Sequence, residues 1–487
     1  MGFEREAMQR QALLTPDAMQ AADRRTIAGG TPVGTLVARA ARAIFRILRA
    51  HYTRRPVTIL CGPGQNGEDG LMLAALLDEA GWPVTLNLLD AGVMDESDTS
   101  SGLMRLLSPT GTFRPEAGTL VVDALFGAGL NRPIEGEARL LIEKLEASDA
   151  SVLAVDLPSG IDGRTGEVLG AAAKADITVS FHRAKPGHFL GEGRRLSGRL
   201  FIADIGIVPH HDDTSALHND PALWKQSLAV ADGDTHKYAR GHVAVVGGPG
   251  LKGGAARLAA RAASVSGAGA VTYLAPLSGA EFAASQFDAV MVKPLTGPEE
   301  LRTLIDGTAS AIVIGPGMGH GRLASECLSA ALESGLPCVL DADALTLYED
   351  TPHVLFGKLH ERCILTPHEG EFSRLFPGLD GDRLSRAKKA SARAGAMVLL
   401  KGSTTAIAGG ILPVLNTNGS AALATAGSGD TLAGLIGGFM ARGIAPEVAA
   451  AAAAWVHAEA AQGAGPGFNA DQLAPRIAAV LERLASS

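Results

Sequence analysis

Aromatic side chains are scarce in this chain, at 4% of 487 residues. That argues against a stacking platform for single-stranded nucleic acid. Positive charge is also in deficit: the formal net charge is −8, which leaves no basic footprint for a phosphate polymer. Cysteine is confined to Cys61, Cys327, Cys338 and Cys363, with no C-x-x-C pair. Three of the four lie in or beside apolar runs and read as buried thiols in a reducing compartment. No run approaches the roughly 20 apolar residues of a membrane span, since the longest Ala-rich stretch, AAAAAAWVHAEAA, is short. The N-terminus, MGFEREAMQR, carries charge where a signal peptide needs an apolar core, and it lacks the Ser or Thr at position 6 of a myristoylation pattern. A cytoplasmic protein with neither nucleic-acid nor membrane partners is expected. The sequence GxxxxGK[ST] occurs nowhere, so any nucleotide is held without a P-loop.

What is abundant is glycine, with 60 residues, in a chain too long for one ordinary core. Short β-branched runs alternate with Gly-rich or acidic turns and Ala/Leu-rich segments. In the first half the runs are VTIL (57–60), TLVVDAL (119–125), SVLAVDL (151–157) and DITVSF (176–181). In the second they are HVAVVGG (242–248), SAIVIG (310–315), CVLDAD (338–343), CILTP (363–367) and MVLLKG (397–402). Apolar strands alternating with helical segments imply parallel sheets covered on both faces. The fold class is therefore α/β, in two different three-layer α/β/α domains. The segment VPHHDDTSALHNDPALWKQ, polar and without periodicity, reads as the boundary, giving domains 1–213 and 222–487.

In sheets of this kind ligands bind beyond the carboxyl ends of the strands. Four unusual segments of the first half fall there: GPGQNGEDG (62–70), Asp123 with the turn Gly127–Pro133, Asp156 with Ser159, and Lys185. Each alone has an ordinary account as a helix cap, a tight turn or a solvated lysine. Together they outline a crevice. Asn66, Asp123 and Ser159 supply oxygen ligands with a single charge, a set that suits a monovalent cation.

The turn GPGQNGEDG, then DALFGAGL and DLPSGIDG, in that order, resemble the YjeF N-terminal domain, the NAD(P)H-hydrate epimerase, over roughly residues 10 to 210. The resemblance implies a Rossmann-like fold. It also implies that the hydrated nucleotide is bound by Gln65, Asn66, Gly67, Glu68 and Asp69, by Gly127, Ala128, Gly129, Leu130, Asn131, Arg132 and Pro133, and by Asp156. A potassium ion is implied at Asn66, Asp123 and Ser159. Asp156 reads as the general acid/base and Lys185 as its helper. The family turn reads NNGGDG, so Glu68 stands here in place of a glycine. On that basis Glu68→Gly is expected to raise turnover or tighten binding, unless Glu68 points away from the crevice.

In the second half, AGSGDTLAGLIGGFMARG opens a helix at Gly427–Gly429, whose free N–H groups form an anion site with Asp430 beside it. A carboxylate there can take a hydroxyl proton while the N–H groups hold a transferring phosphoryl group. An N-cap role for Asp430, a β-turn for LKGSTT and a capping role for His368 are the plainer accounts. The ordered set HKYARGHVAVVGG, IGPGMG, DADAL, TPHEGE, LKGSTT and AGSGD resembles the ribokinase-like, ADP-dependent NAD(P)H-hydrate dehydratase across residues 236–443. This implies hydrate contacts from Ala255, Gly319, His368 and Asp430. It implies nucleotide contacts from Lys401, Gly402, Ser403, Thr404, Thr405 and Gly429, with magnesium accompanying ADP. The substrates implied are NADHX, NADPHX and ADP, and a homo-oligomer is expected. Two rival readings are a small-alcohol kinase of the ribokinase fold, and a dehydratase whose N-terminal domain only binds.

Overall fold

The computed structural model describes residues 2–90, 102–108, 113–229 and 237–486. Contacts divide the chain into one unit of Ala12–Ala216 and another of Met1–Gln11 with Leu217–Ser487.

Among the described residues, the first unit is built on six parallel strands. Their spatial order is Val84–Leu88, Val57–Cys61, Leu120–Ala124, Ser151–Val155, Ile177–Phe181, Arg199–Ala203. Alternate residues of a strand face opposite sides, and both sides here are apolar. Ile59 and Cys61 join one core with Leu73 and Leu77, while Leu60 joins another with Leu141 and Ile142. Because Val57–Cys61 has its sequence successor on one side and Leu120–Ala124 on the other, the strand order reverses there. That reversal opens a crevice at the carboxyl ends. Helix Gln65–Glu79 presses on this point through Gly70, where a Cβ would lie 2.9 Å from both Ala124 Cβ and Cys61 Sγ.

The second unit has Leu217 and His218 paired to Val414–Asn416 at one edge. Beyond that strand follow Thr405–Ala408, Met397–Leu400, Cys363–Leu365, Cys338–Leu340, Ala311–Ile314, His242–Val246, Ala270–Pro276 and Met291–Leu295. Only Thr405–Ala408 runs antiparallel to both neighbours among these described strands. Helix Ser428–Ala441 is buried almost throughout, including Leu432, Leu435, Ile436, Phe439 and Met440. It lies against helix Gly254–Val265 so closely that a Cβ on Gly434 would sit 2.0 Å from the Ala259 carbonyl oxygen.

Every strand named from the sequence is present, most of them one to three residues shorter than the run and Val57–Cys61 one longer. Eight more among the described residues were not anticipated, Met291–Leu295 among them, where Lys293 and Pro294 break the apolar run. The boundary also differs. The segment that reads as a linker contributes Leu217 and His218 to the sheet and buries Leu223 and Trp224. Trp224 Nε1 donates to Asn219 Oδ1 (2.9 Å), and Asn219 Nδ2 donates to Asn416 Oδ1 (2.9 Å) and the Ala451 carbonyl (2.7 Å). The first eleven residues join the same unit, with Glu4 N–H donating to the Leu223 carbonyl at 2.9 Å. The polar composition that suggested a linker is in fact a satisfied buried network. All four cysteines are buried thiols outside any disulfide. Among the described residues, no helix is long and apolar enough to cross a membrane.

Trp224→Ala should empty this corner and destabilise the second unit by about 3–5 kcal/mol. Calorimetric unfolding of the full chain checks it, with the transition of the first unit expected to stay in place.

Candidate functional sites in each unit

In the first unit the chain turns sharply at three strand ends. Gly62 must be glycine because a Cβ would meet the Leu125 carbonyl oxygen at 1.8 Å. Asp156 follows strand Ser151–Val155 with φ 65°, a left-handed value that a non-glycine residue holds only when its surroundings fix it. Those surroundings are visible. Asp156 Oδ1 accepts from Lys185 Nζ (2.6 Å) and Ser180 Oγ (2.8 Å), and Oδ2 accepts from Ala128 N–H (3.0 Å). Burial alone would raise this carboxyl. The Lys185 ammonium and these hydrogen bonds outweigh it and hold Asp156 at about 2. Lys185, itself buried, also donates to Ser180 Oγ at 2.9 Å. His188 stands behind, with Nε2 2.8 Å from the Asp156 carbonyl oxygen, and burial with the nearby Lys185 charge pushes it down to about 4.

A cavity of about 490 Å³ opens beside Asp156. Gln65, Asn66 and the turn Gly127–Arg132 line it, and so do Met19, Gln20 and Asp23. A smaller one of about 100 Å³ shares Asn66, Asp156 and Asp23 and reaches Asp69, Lys185 and an apolar wall. Pro133, Gly67 and Glu68 are not among these walls. The segment read as a turn is the start of helix Gln65–Glu79, and Glu68 N–H already closes the first helical bond to the Gly64 carbonyl. Glu68 is exposed there, where the helix dipole favours its charge. Asp69 is buried, and that burial raises its carboxyl well above the usual range, with Asp156 and Glu68 adding to it.

Asp123 and Ser159 are both buried, and Ser159 Oγ donates to Asp123 Oδ1 at 2.6 Å while Ser159 N–H donates to Oδ2 at 2.8 Å. The Phe126 carbonyl lies 3.2 Å from Ser159 Oγ. The Asn66 amide nitrogen donates to the Val155 carbonyl (2.9 Å), and its Oδ1 faces Gly127. The donor set at this turn is thus oxygen throughout with one carboxylate, which fits a weakly held monovalent cation.

In the second unit the sites again gather at strand ends. Lys401, after strand Met397–Leu400, pairs with the buried Asp341 at 2.7 Å (Nζ to Oδ1). Its ammonium lies 3.0 Å from where a Cβ on Gly429 would stand, directly beneath the N-terminus of helix Ser428–Ala441. Asp430 follows on that helix. Burial first, then the charges of Asp341, Glu371 and Asp343, raise it to about 6 against the pull of Lys401. Burial lowers Lys401, but Asp341 and Glu371 outweigh it and its pKa is raised.

His368 Nδ1 accepts from the N–H groups of Gly370 (3.0 Å) and Glu371 (3.3 Å) and so caps helix Glu369–Leu375. Glu371 Oε2 returns the bond from His368 N–H (2.8 Å). Gly319 N–H donates to Asp343 Oδ2 at 2.8 Å, and Ala255 packs near Gly317. Lys401 to Thr405 form the turn into strand Thr405–Ala408, with Ser403 exposed and Thr404 buried. Arg383 Nη1 braces this turn through the Lys401 carbonyl at 2.7 Å.

A family model described as NAD(P)H-hydrate dehydratase matches residues 243–482, and one described as YjeF-related protein N-terminus matches residues 33–187. The bifunctional NAD(P)H-hydrate repair enzyme Nnr of Coxiella burnetii is 32% identical, over 93% of this chain and 96% of its own length. This chain belongs to the family of bifunctional NAD(P)H-hydrate repair enzymes. The Escherichia coli repair enzyme is 31% identical over 89% of this chain and 85% of its own length. The ADP/ATP-dependent NAD(P)H-hydrate dehydratase of Bacillus subtilis, solved with ATP and Mg2+, is 26% identical with a TM-score of 0.45, covering 53% of this chain and 95% of that one.

Within this repair-enzyme frame, four residues escaped the sequence reading: Asp23, Asp341, Asp343 and Glu371. Asp341 and Asp343 were legible as paired acids ending the run CVLDAD. Asp23 carried a fainter signal, lying four positions from Met19 on helix Pro16–Ala28 and hence on the same face.

Because Glu68 is exposed and stands outside both cavities, Glu68→Gly should leave epimer turnover and hydrate binding unchanged, contrary to the expectation from sequence. It should instead cost about 1 kcal/mol of stability through lost helix propensity. Paired kinetic and urea-unfolding measurements on the variant separate the two effects.

Proposed function

We propose that the chain repairs hydrated nicotinamide nucleotides in two stages. The first unit interconverts the R and S hydrates. The second converts the S form to NAD(P)H, consuming ADP and releasing AMP and phosphate. The observation that carries this reading is Asp430 standing beside Lys401 at the N-terminus of helix Ser428–Ala441, in a family that joins both activities.

The substrate's hydroxyl is on a carbon next to the ring nitrogen, and hydroxide leaves poorly. Asp430 takes the hydroxyl proton while the oxygen attacks the terminal phosphoryl group of ADP. Lys401 and the helix N–H groups stabilise the charge that gathers on that group. The ring nitrogen's lone pair then expels phosphate, and loss of a proton from the adjacent carbon restores the dihydropyridine. The turn Lys401–Thr405 cradles the nucleotide, and Ala255, Gly319 and His368 face the hydrate. Asp343 and Glu371, hard oxygen donors near Asp430, suit a magnesium ion accompanying ADP, which would offset phosphate charge there.

In the first unit, the turn Gly127–Arg132 with Gln65 and Asn66 forms the hydrate cavity. Asn66, Asp123, Ser159 and the Phe126 carbonyl suit potassium, which would balance the buried Asp123 carboxylate. Burial raises the pKa of Asp123, with the Ser159 and Leu125 hydrogen bonds opposing that rise.

With mixed hydrate epimers and ADP, the full chain should restore all the absorbance of reduced nicotinamide. A small-alcohol kinase would instead accumulate a stable phosphorylated product. Asp430→Asn should lower dehydration by about 10²–10⁴-fold while epimer exchange, followed by chromatography, continues.

The base must be ionised, so dehydration should fall as pH drops through about 6, the value set for Asp430. Glu371→Gln, which removes a neighbouring negative charge, should move that limb to lower pH. Replacing potassium by tetramethylammonium should slow epimer exchange and leave dehydration of the pure S hydrate intact.

A further inference from the structure

The two carboxylates that face the first unit's cavity are in opposite states. Both oxygens of Asp156 are engaged, by Lys185, Ser180 and the Ala128 N–H. A group so satisfied stays an anion and has little tendency to take a proton. Asp23, on helix Pro16–Ala28, lines the same cavity and the smaller adjoining one. Among the described residues, its carboxylate has no hydrogen-bond or ion-pair partner. It is half-buried, with one side open to the space where the hydrate would bind.

We propose that Asp23 is the residue that moves the proton during epimerisation, while Asp156 with Lys185 forms a fixed ion pair that orients the substrate. The proposal rests on the epimerase reading of the first unit. Asp23 takes the proton from the substrate's hydroxyl. The carbon–oxygen bond becomes a carbonyl as the bond from that carbon to the ring nitrogen breaks. The electron pair passes to the nitrogen and, through the ring double bond, to the carboxamide. Rotation presents the other face of the aldehyde, and the nitrogen attacks it. The same proton then returns from Asp23 to the oxygen. No atom is gained or lost and no oxidant is required. The route also bypasses the iminium ion, which would collapse toward dehydration.

The surroundings tune Asp23 for this task. Burial raises its carboxyl to about 6, with Lys185 lowering it, Asp156 raising it and Arg24 lowering it. Asp69, which shares the smaller cavity with it, has its carboxyl raised well above the usual range by its own burial and by the charges of Asp156, Glu68 and Asp23. A base poised near the working pH exchanges protons in both directions, as an epimerase requires.

The test is epimer exchange in the full-length chain, followed by chromatography without ADP, for the wild type, Asp23→Asn and Asp23→Glu. Dehydration of the pure S hydrate with ADP serves as the control for folding. The wild type should show exchange falling as pH drops through about 6. Asp23→Asn should lose at least about 100-fold in kcat, with little change in KM, and Asp23→Glu should recover part of that loss. Retention of exchange within about threefold in Asp23→Asn would overturn the proposal, and so would an acid limb left in place by that substitution. Failure of the wild type itself to exchange epimers would instead overturn the epimerase reading on which this rests.

Discussion

Both units depend on one device: a strand-end aspartate clamped by a buried lysine ammonium. Lys185 holds Asp156 at 2.6 Å and Lys401 holds Asp341 at 2.7 Å. Taking either charge out of water without a partner is costly, and the pairing offsets that cost. Paired, each charge has its counter-charge in contact, and Asp156 is held at about 2. Burial raises a second carboxyl nearby to about 6, Asp23 in one unit and Asp430 in the other, and the paired aspartate adds to that rise. The two sites, on different sheets, share the arrangement of a lysine-paired aspartate beside a carboxyl whose pKa is raised.

The sheets make these pairings possible. In each, the strand order reverses, at Val57–Cys61 in the first and at His242–Val246 in the second, so that consecutive segments leave the carboxyl edge in opposite directions. Tight backbone approaches hold the crevice walls. A Cβ on Gly248 would meet the Gly317 carbonyl oxygen at 1.6 Å, just as one on Gly62 would meet that of Leu125. The high glycine count is thus accounted for in part by turns that pack backbone against backbone.

Much of this was legible beforehand. The apolar strand runs, the Gly-rich turns after them and the helix that opens at Ser428 are local features, written in residues adjacent in the chain. The cavity walls Gln65, Asn66 and Gly127–Arg132 were likewise named from contiguous motifs. Other features were misread. Glu68 sits inside a motif yet faces solvent, because helix geometry turns successive residues by about 100°. Trp224 and Asn219 sit in a polar stretch yet are buried, because the partners of Asn219, Asn416 and Ala451, and the ring against Trp224, Trp455, lie some two hundred positions away.

The sequence by itself determined the class of fold, the two sheets and the strand ends where chemistry gathers, since periodicity and turn chemistry act over a few residues. Only the tertiary structure decided which carboxylates are clamped and which are free. That choice rests on burial and on the placement of one lysine in each unit. It also brought the helix that carries Met19, Gln20 and Asp23 to a cavity whose remaining walls begin at Pro63, forty residues further along the chain. Charge state is set by what surrounds a group in space, and adjacency in sequence does not record it.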